Sequence, residues 1–482
     1  MPSDRGCCDG SNLARTRDLG LLDEGTSVMP DLNAPVSRTP SRPPLRLALT
    51  GDSILQRRLL ARTDPALRPL FDLIRGTDVA FTNLEVLAND YRGDPALESG
   101  GSHFGAPAWV LDELTQAGLN LFATATNHGL DYGVSGLLHA IEALERRELS
   151  FAGMARQLED ARRPAYHVHP HGTVALLSCC STFAKGQEAG AQTADMPGRP
   201  GISPLHFETV HEVTGPQLAA VREIAGQLGL EGQRQQNLKM GFGFPPRDPG
   251  IFPFGGMDFR EAERPALRTA PKQKDVDAII RWVREARGLA DLVLVSVHAH
   301  EQGATKEDPA EFLQLFARAM IEAGADLVVG HGPHLLRGLE MYRGRPIFYS
   351  LGNFIGQNEL VPRIPADGYE RFRADPSLTP GAVYRQRTDD DRAGFPSDRR
   401  FWETVVPVLT YEDGLLHGLE IHPVSLGLGE PRHLRGRPRR AEGEGAQRIL
   451  ERFATLSAPF GTELRVGDGS AALAFSFLAR PA

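Results

Sequence analysis

Cysteine is scarce in this chain: there are four among 482 residues, placed as two adjacent pairs, Cys7-Cys8 and Cys179-Cys180. Neighbouring cysteines bridge each other only under strain. A disulfide framework is therefore not expected, and the thiols fit a reducing, cytoplasmic setting. No apolar run reaches the length needed to span a bilayer. The opening Met1-Pro2-Ser3-Asp4-Arg5-Gly6 lacks the apolar core of a secretory signal. An excess of positive charge is missing too. The formal net charge of −8 gives no general attraction to nucleic acid or to anionic membranes. Internal repeats and phosphate-cradling glycine loops of the Walker or dinucleotide type are also absent.

What is present is length enough for a large core, at roughly 150 residues per domain. Residues 1–44 are rich in Pro, Ser, Arg, Asp and Gly without apolar periodicity and read as a disordered extension. From Leu45 a strand–helix rhythm begins. Leu45–Thr50 runs into Gly51-Asp52, and Asp78–Thr82 into Asn83-Leu84-Glu85. Leu119–Thr124 leads to Asn127-His128, Asp291–Val297 to His298, and Asp326–Val329 to Gly330-His331. Helices are expected over Pro107–Ala117, Gly133–Arg147 and Pro309–Glu322, the last closed by Ala323-Gly324. Such alternation predicts an α/β fold with a largely parallel, layered sheet.

Two stretches break the rhythm. Residues 181–271 hold Gly/Pro-rich aromatic segments around one helix, and read either as an ordered flap near the site or as an insertion packed on the surface. Residues 358–398 are charged and read as a mobile loop, whose Arg371, Arg373, Arg385 and Arg387 meet either an acidic substrate or solvent. Residues 45–400 are then one domain, and 401–482 a C-terminal extension of hairpin, helix and short strands. Arg435–Arg440 reads as a solvated basic linker.

The chemistry is concentrated at strand ends. Five buried-type strands finish on Asp52, Glu85, Asn127/His128, His298 and His331, with His334 following on a Gly/Pro-broken turn. In open α/β sheets that edge is where ligands bind. Carboxylate, amide oxygen and imidazole together suit a pair of divalent transition metals. A carboxylate can bridge ions ~3.5–4 Å apart that share a hydroxide nucleophile. Glu85 has the reach to bridge, and Asn127 offers a carbonyl oxygen. His128, with Asp131 three residues on, fits an oriented acid for a leaving group. Each residue also has an ordinary reading: Asp52 and Asn127 as turn caps, His298 as a satisfied polar group. Strand alternation puts His300 on the side of His298, so one of the two is expected to orient a ligand rather than be one. His167, His169 and His171 read as a surface stripe or a separate metal site. Cys179 and Cys180 read as buried structural thiols, with a thiol metal site as the alternative.

Gly51-Asp52, Asn83-Leu84-Glu85, Asn127-His128 with Asp131 and Gly133, His298, Gly330-His331-Gly332-Pro333-His334 and Tyr349-Ser350-Leu351-Gly352-Asn353-Phe354 resemble the CapA family of bacterial capsule-synthesis, poly-γ-glutamate-associated proteins. The resemblance spans about Leu45 to Gly356. It implies a four-layer α/β/β/α metallophosphoesterase-like sandwich with a small C-terminal β-rich extension. It also implies two divalent ions (Mn, Fe or Zn), one on Asp52, Glu85 and His334 and the other on Glu85, Asn127, His298 and His331. His128 takes the acid or phosphate-orienting place. The pattern departs at Ile54, where the superfamily has a histidine, and at Ala299-His300-Glu301, where CapA proteins have Trp-Gly and a glutamate; no stretch of this sequence reads as the family's usual membrane anchor, so none is expected. The expected function is a metal-dependent hydrolase of capsule or poly-γ-glutamate metabolism, acting on a phosphoester or a γ-glutamyl-type amide. The alternative is a non-catalytic polymer-binding or assembly subunit of a capsule complex. The expected partners are an acidic polymer or phosphoester substrate and capsule-synthesis proteins, without nucleic acid or membrane insertion.

Overall fold

The computed structural model describes residues 42–473. Cys7, Cys8 and nearly all of the expected N-terminal extension lie outside the described residues. The first strand, Leu45–Ile54, is central. Its inward Leu47 and Leu49 alternate with the outward Ala48, as a pleated strand buried on both faces requires. It pairs in parallel with Val79–Leu84, which pairs with Leu121–Ala123 and then Ser150–Ala152. On its other side lies the antiparallel Glu403–Glu412, hairpinned to Leu415–Ser425, so the C-terminal hairpin belongs to this same sheet. A second sheet runs in the order Leu336–Tyr342, Arg345–Leu351, Leu327–His331, Leu292–His298, Gly172–Cys180, Ala165–His169, with parallel pairing at its centre and antiparallel edges.

Three apolar clusters sort these elements. Leu47, Leu49, Val79 and Phe81 meet Val174, Leu176, Leu294 and Val329 between the two sheets. The outer face of the first sheet packs on helices Arg68–Arg75, Trp109–Gln116 and Gly133–Glu145 through Phe71, Leu111 and Leu137. The outer face of the second packs on helices Gln273–Arg287 and Glu311–Ala323 through Val283, Phe312 and Phe316. Gly324, at φ +119°, ends the latter helix in the left-handed conformation the sequence suggested. No helix among the described residues is long and apolar enough to cross a membrane.

The irregular stretches are more ordered than their composition suggests. Residues 207–271 form a four-stranded sheet with helices Gly215–Gln227 and Leu230–Lys239 around a small core of Leu218, Ala225 and Phe252. Phe207 stacks on Phe312 at 4.3 Å and docks this unit on the outer helix. Phe242 and Phe244, the aromatics a flap would have used, are 76% and 91% exposed, so the surface-insertion reading describes this part. The stretch 358–398 carries helices Ala366–Arg371 and Pro380–Arg387 rather than a loose loop. Its charges are paired over long sequence distances. Asp391 accepts from both Arg432 and Arg435, which hold its carboxyl down at about 2. Arg435, expected in a solvated linker, is buried for the same reason and also pairs with Glu359.

Candidate metal centre

The parallel strands end together, and their register sets the donors side by side. Asp52 is level with Asn83 and with Asn353, and His298 is level with His331. The chain passes very close to itself here. Asp52 N donates to Gly352 O at 2.8 Å, and a Cβ on Gly51 would lie 1.9 Å from that same oxygen. Only glycine admits this approach, which brings the Asp52 strand against the turn before Asn353.

Asp52 is fully buried. Asn83 Nδ2 donates to its Oδ1 at 2.9 Å and Gly332 N to its Oδ2 at 3.2 Å. His331 Nδ1 and His334 Nδ1 stand 3.4 and 3.5 Å from its two oxygens. Burial pushes the Asp52 carboxyl up, but these imidazoles and the Asn83 amide outweigh it and leave it below the ordinary value. Glu85 is also fully buried, yet neither of its oxygens has a hydrogen-bond partner. Its Oε1 faces His334 Nε2 at 3.7 Å, His298 Nε2 at 3.8 Å and His128 Nε2 at 4.0 Å. Burial first, then repulsion from Asp52 and Asp131, pushes its carboxyl well up.

The histidines are held in definite orientations. His334, at φ +62°, lies with Nδ1 2.9 Å from Asn353 Oδ1. Asn353 Nδ2 donates to Phe401 O, which fixes that amide, so His334 Nδ1 carries the hydrogen and Nε2 presents a lone pair to Glu85. His128 Nδ1 lies 2.7 Å from Asp131 Oδ2, and Phe104 packs on the ring at 4.2 Å. His298 Nδ1 is 3.2 Å from Asn83 Nδ2, and its Nε2 is 3.1 Å from His300 Nε2. Burial, and then the neighbouring imidazoles, push both His298 and His300 well down, so both are neutral at pH 7. Burial also lowers His334. His331 is fully buried with neither ring nitrogen hydrogen-bonded. Asn127 is buried beside His128, its Oδ1 partnerless and its amide nitrogen where a Cβ on Gly100 would intrude to 2.0 Å.

These contacts test the site for a cation. Lone pairs of Glu85, His331 and Asn127 are buried without the donors that polar groups ordinarily find inside a protein. Facing acceptors with no hydrogen between them are unfavourable unless a positive ion joins them. The donor set is mixed carboxylate, imidazole and amide oxygen, suited to borderline divalent metals. The residues present fit such ions.

All the expected residues, Asp52, Glu85, Asn127, His128, Asp131, His298, His331 and His334, lie buried at this one strand-end edge. Sequence reasoning missed Asn83 and Asn353, which orient Asp52, His298 and His334, although both sit inside the motifs it singled out. It also missed a cavity of about 210 Å³ beside His128 and His334, walled by Ser102, Phe104, Tyr384, Arg387 and Phe395. Tyr384 OH donates to Ser102 Oγ at 2.5 Å, and burial pushes its phenol up to about 12. Elsewhere, His171 Nδ1 and His169 Nε2 gather 3.0 and 3.8 Å from Asp78 Oδ1, at the opposite end of the strand that leads to Glu85. His169 Nδ1 there accepts the His171 backbone N–H at 3.2 Å, which turns an Nε2–H toward the carboxylate. Cys179 and Cys180 are buried free thiols, and the metal-competent clusters among the described residues do not include them.

Comparison with known proteins places the chain in context. The family model described as "Bacterial capsule synthesis protein PGA_cap" matches residues 46–358. The uncharacterized protein y4sH of Sinorhizobium fredii is 32% identical over 434 residues, covering 88% of this chain and 91% of that protein. The capsule biosynthesis protein CapA of Bacillus anthracis is 24% identical over 318 residues, covering 64% of this chain and 59% of that protein. The PGA biosynthesis protein CapA of Bacillus subtilis is 27% identical over 246 residues, covering 51% and 44%.

Proposed function

The chain belongs to the PGA_cap family of bacterial capsule synthesis proteins, and on that premise we propose that it is a metal-dependent hydrolase of capsule or poly-γ-glutamate metabolism. Its substrate is a phosphoester or a γ-glutamyl-type amide, presented by an acidic polymer or a fragment of one. The helix, sheet, sheet, helix sequence of the apolar clusters supports reading the fold as a four-layer α/β/β/α metallophosphoesterase-like sandwich. The observation that carries the functional reading is Glu85: a buried carboxylate without a hydrogen-bond donor, faced by three imidazole nitrogens within 4.0 Å.

Asp52, Glu85 and His334 would hold one divalent ion; Glu85, Asn127, His298 and His331 the other, with Glu85 shared. Such ions, when bound, supply Lewis acidity toward the reacting oxygen and bring the pKa of water toward neutrality. The chain's own residues do the rest. Asp131 holds His128 with Nδ1–H toward itself and leaves Nε2 facing Glu85 and the cavity. Protonated, His128 gives its Nε2 proton to the departing oxygen or nitrogen. Phe104 restricts the ring, and the cavity beside it places the scissile bond while limiting water.

Elemental analysis of protein purified without chelator, beside an Asp52→Ala/His331→Ala double variant, tests the reading. About two equivalents of Mn, Fe or Zn, lost in the variant, are expected. Metal-dependent hydrolysis of a p-nitrophenyl phosphodiester or a γ-glutamyl anilide is expected alongside. No metal in either protein after reconstitution would overturn it. The second reading, a polymer-binding subunit, draws support from Ile54, which is fully buried among Leu55, Leu59 and Phe71 and offers no donor. Metal and polymer binding without turnover of either substrate would favour that reading.

A further inference from the structure

We propose that His300 is itself a metal ligand, completing the ion held by Asp52, Glu85 and His334; this rests on the metal-centre reading above. Those three residues leave a four-coordinate ion one donor short. Ile54 cannot supply it, because its side chain is packed in the apolar cluster on the outer face of the sheet. His300 can. Its donor atom and those of Glu85 and His334 all lie within 4.8 Å of one another, and its ring centroid is 5.3 Å from that of His334.

The contact with His298 does not remove the need for an ion. The two Nε2 atoms are 3.1 Å apart. A single shared hydrogen would satisfy this pair but would leave Glu85 and His334 Nε2 without partners.

The segment bearing His300 is fixed as a ligand segment has to be. His300 N donates to Thr182 Oγ1 at 2.9 Å. Thr182 and Ser181 donate through their hydroxyls to the Glu301 carboxylate at 2.9 and 2.7 Å. Arg337, whose side chain is fully buried, donates to the backbone carbonyls of Glu301 at 2.8 Å and Lys306 at 3.1 Å. Gly332 leaves room for the ring, since a Cβ there would lie 3.1 Å from His300 Cδ2. An arginine buried on carbonyls beside the site is difficult to account for unless the position of this segment matters.

The test compares wild type with His300→Ala and with His300→Gln, which retains bulk. It measures metal stoichiometry, chelator competition, the visible spectrum of the Co²⁺-loaded protein, and melting temperature with and without metal. We expect one ion to be retained and the other to be bound about tenfold or more weaker. The Co²⁺ spectrum should change, and the melting temperature should fall in the loaded form while the metal-free form is unmoved. Wild-type stoichiometry, affinity and spectrum in both variants would overturn the assignment of His300 and leave the metal centre standing. A wild-type protein that takes up no metal would overturn both. Equal losses of melting temperature with and without metal, at unchanged affinity, would show a packing role and also overturn the proposal.

Discussion

His334, on the turn between two strands of the second sheet, faces Asn353, at the start of a strand paired with Leu45–Ile54 in the first, at 2.9 Å, Nδ1 to Oδ1. The Asn353 amide cannot turn over without losing its bond to Phe401 O, so it dictates which nitrogen of His334 is free. Asn353→Leu should therefore release the ring without removing a donor from the ion. Metal affinity is expected to fall about 10–100-fold, read by chelator competition, with the far-ultraviolet circular dichroism unchanged. Wild-type affinity would show that the tautomer is set elsewhere.

His128 and Asp131 separate proton transfer from metal binding. His128→Ala should lower kcat by about 10²–10⁴-fold at near wild-type metal content. Asp131→Asn should lower kcat less, because the imidazole keeps its place but loses the carboxylate that orients it. The measurement is steady-state hydrolysis beside elemental analysis. Undiminished turnover in His128→Ala would remove His128 from the mechanism.

The gathering of polar residues at the strand ends was legible in the sequence because strands buried on both faces leave little reason for polar residues except at their ends. Asp52, Glu85, His298 and His331 stand out against Leu49, Phe81, Val297 and Val329 for that reason. The segment 358–398 was not legible. Val361, Val383 and Tyr384 are its buried large apolar residues, and its helices are tied down by partners far away in sequence, Arg371 on the Ser99–Gly101 loop and Asp391 on Arg432 and Arg435. Charge pairing over such distances leaves no local period to read. His300 was placed correctly on the side of His298, but alternation alone could not give the distance between them. That distance depends on where the chain leaves the strand and on Arg337 drawing in the following carbonyls.

The approach of Gly51 to Gly352 should be sensitive to one methyl group. In Gly51→Ala the new Cβ would meet backbone oxygen, which cannot move aside as a side chain can. A loss of at least about 1–3 kcal/mol is expected, with weakened metal binding, since Asp52 is the next residue. Gly232, inside the helix Leu230–Lys239 with open space around it, is the control. Gly232→Ala should stabilise by about 0.4–1 kcal/mol. Denaturant unfolding of both variants reads the contrast; similar values would mean that the strand crossing yields to an added methyl group.

Cys179 and Cys180 should be chemically silent in the folded protein. Burial raises both thiols, Cys180 further in the field of Glu301, so neither offers a thiolate near neutral pH. In a Cys7→Ser/Cys8→Ser background, a disulfide reagent should titrate no thiol until guanidinium is added and two afterwards. Reaction before unfolding would contradict the burial.

Arg387 addresses what the cavity receives. It lines the wall beside His128 and His334, its guanidinium 4.5 Å from the Phe372 ring centroid, and no carboxylate among the described residues pairs with it. An exposed cation that lines the cavity without a carboxylate partner favours a substrate that brings its own negative charge, as both phosphoesters and γ-glutamyl chains do. A charged hydrogen bond is worth about 1.5–3 kcal/mol, so Arg387→Ala should raise KM about 10–100-fold for anionic substrates. kcat should change little, because the group lies away from the breaking bond. A neutral ester of similar size should lose nothing, and Arg387→Lys should recover only part of the affinity because the planar fork is gone. Equal KM for charged and neutral substrates in wild type and variant would mean that Arg387 only stacks on Phe372, and that the cavity recognises shape rather than charge.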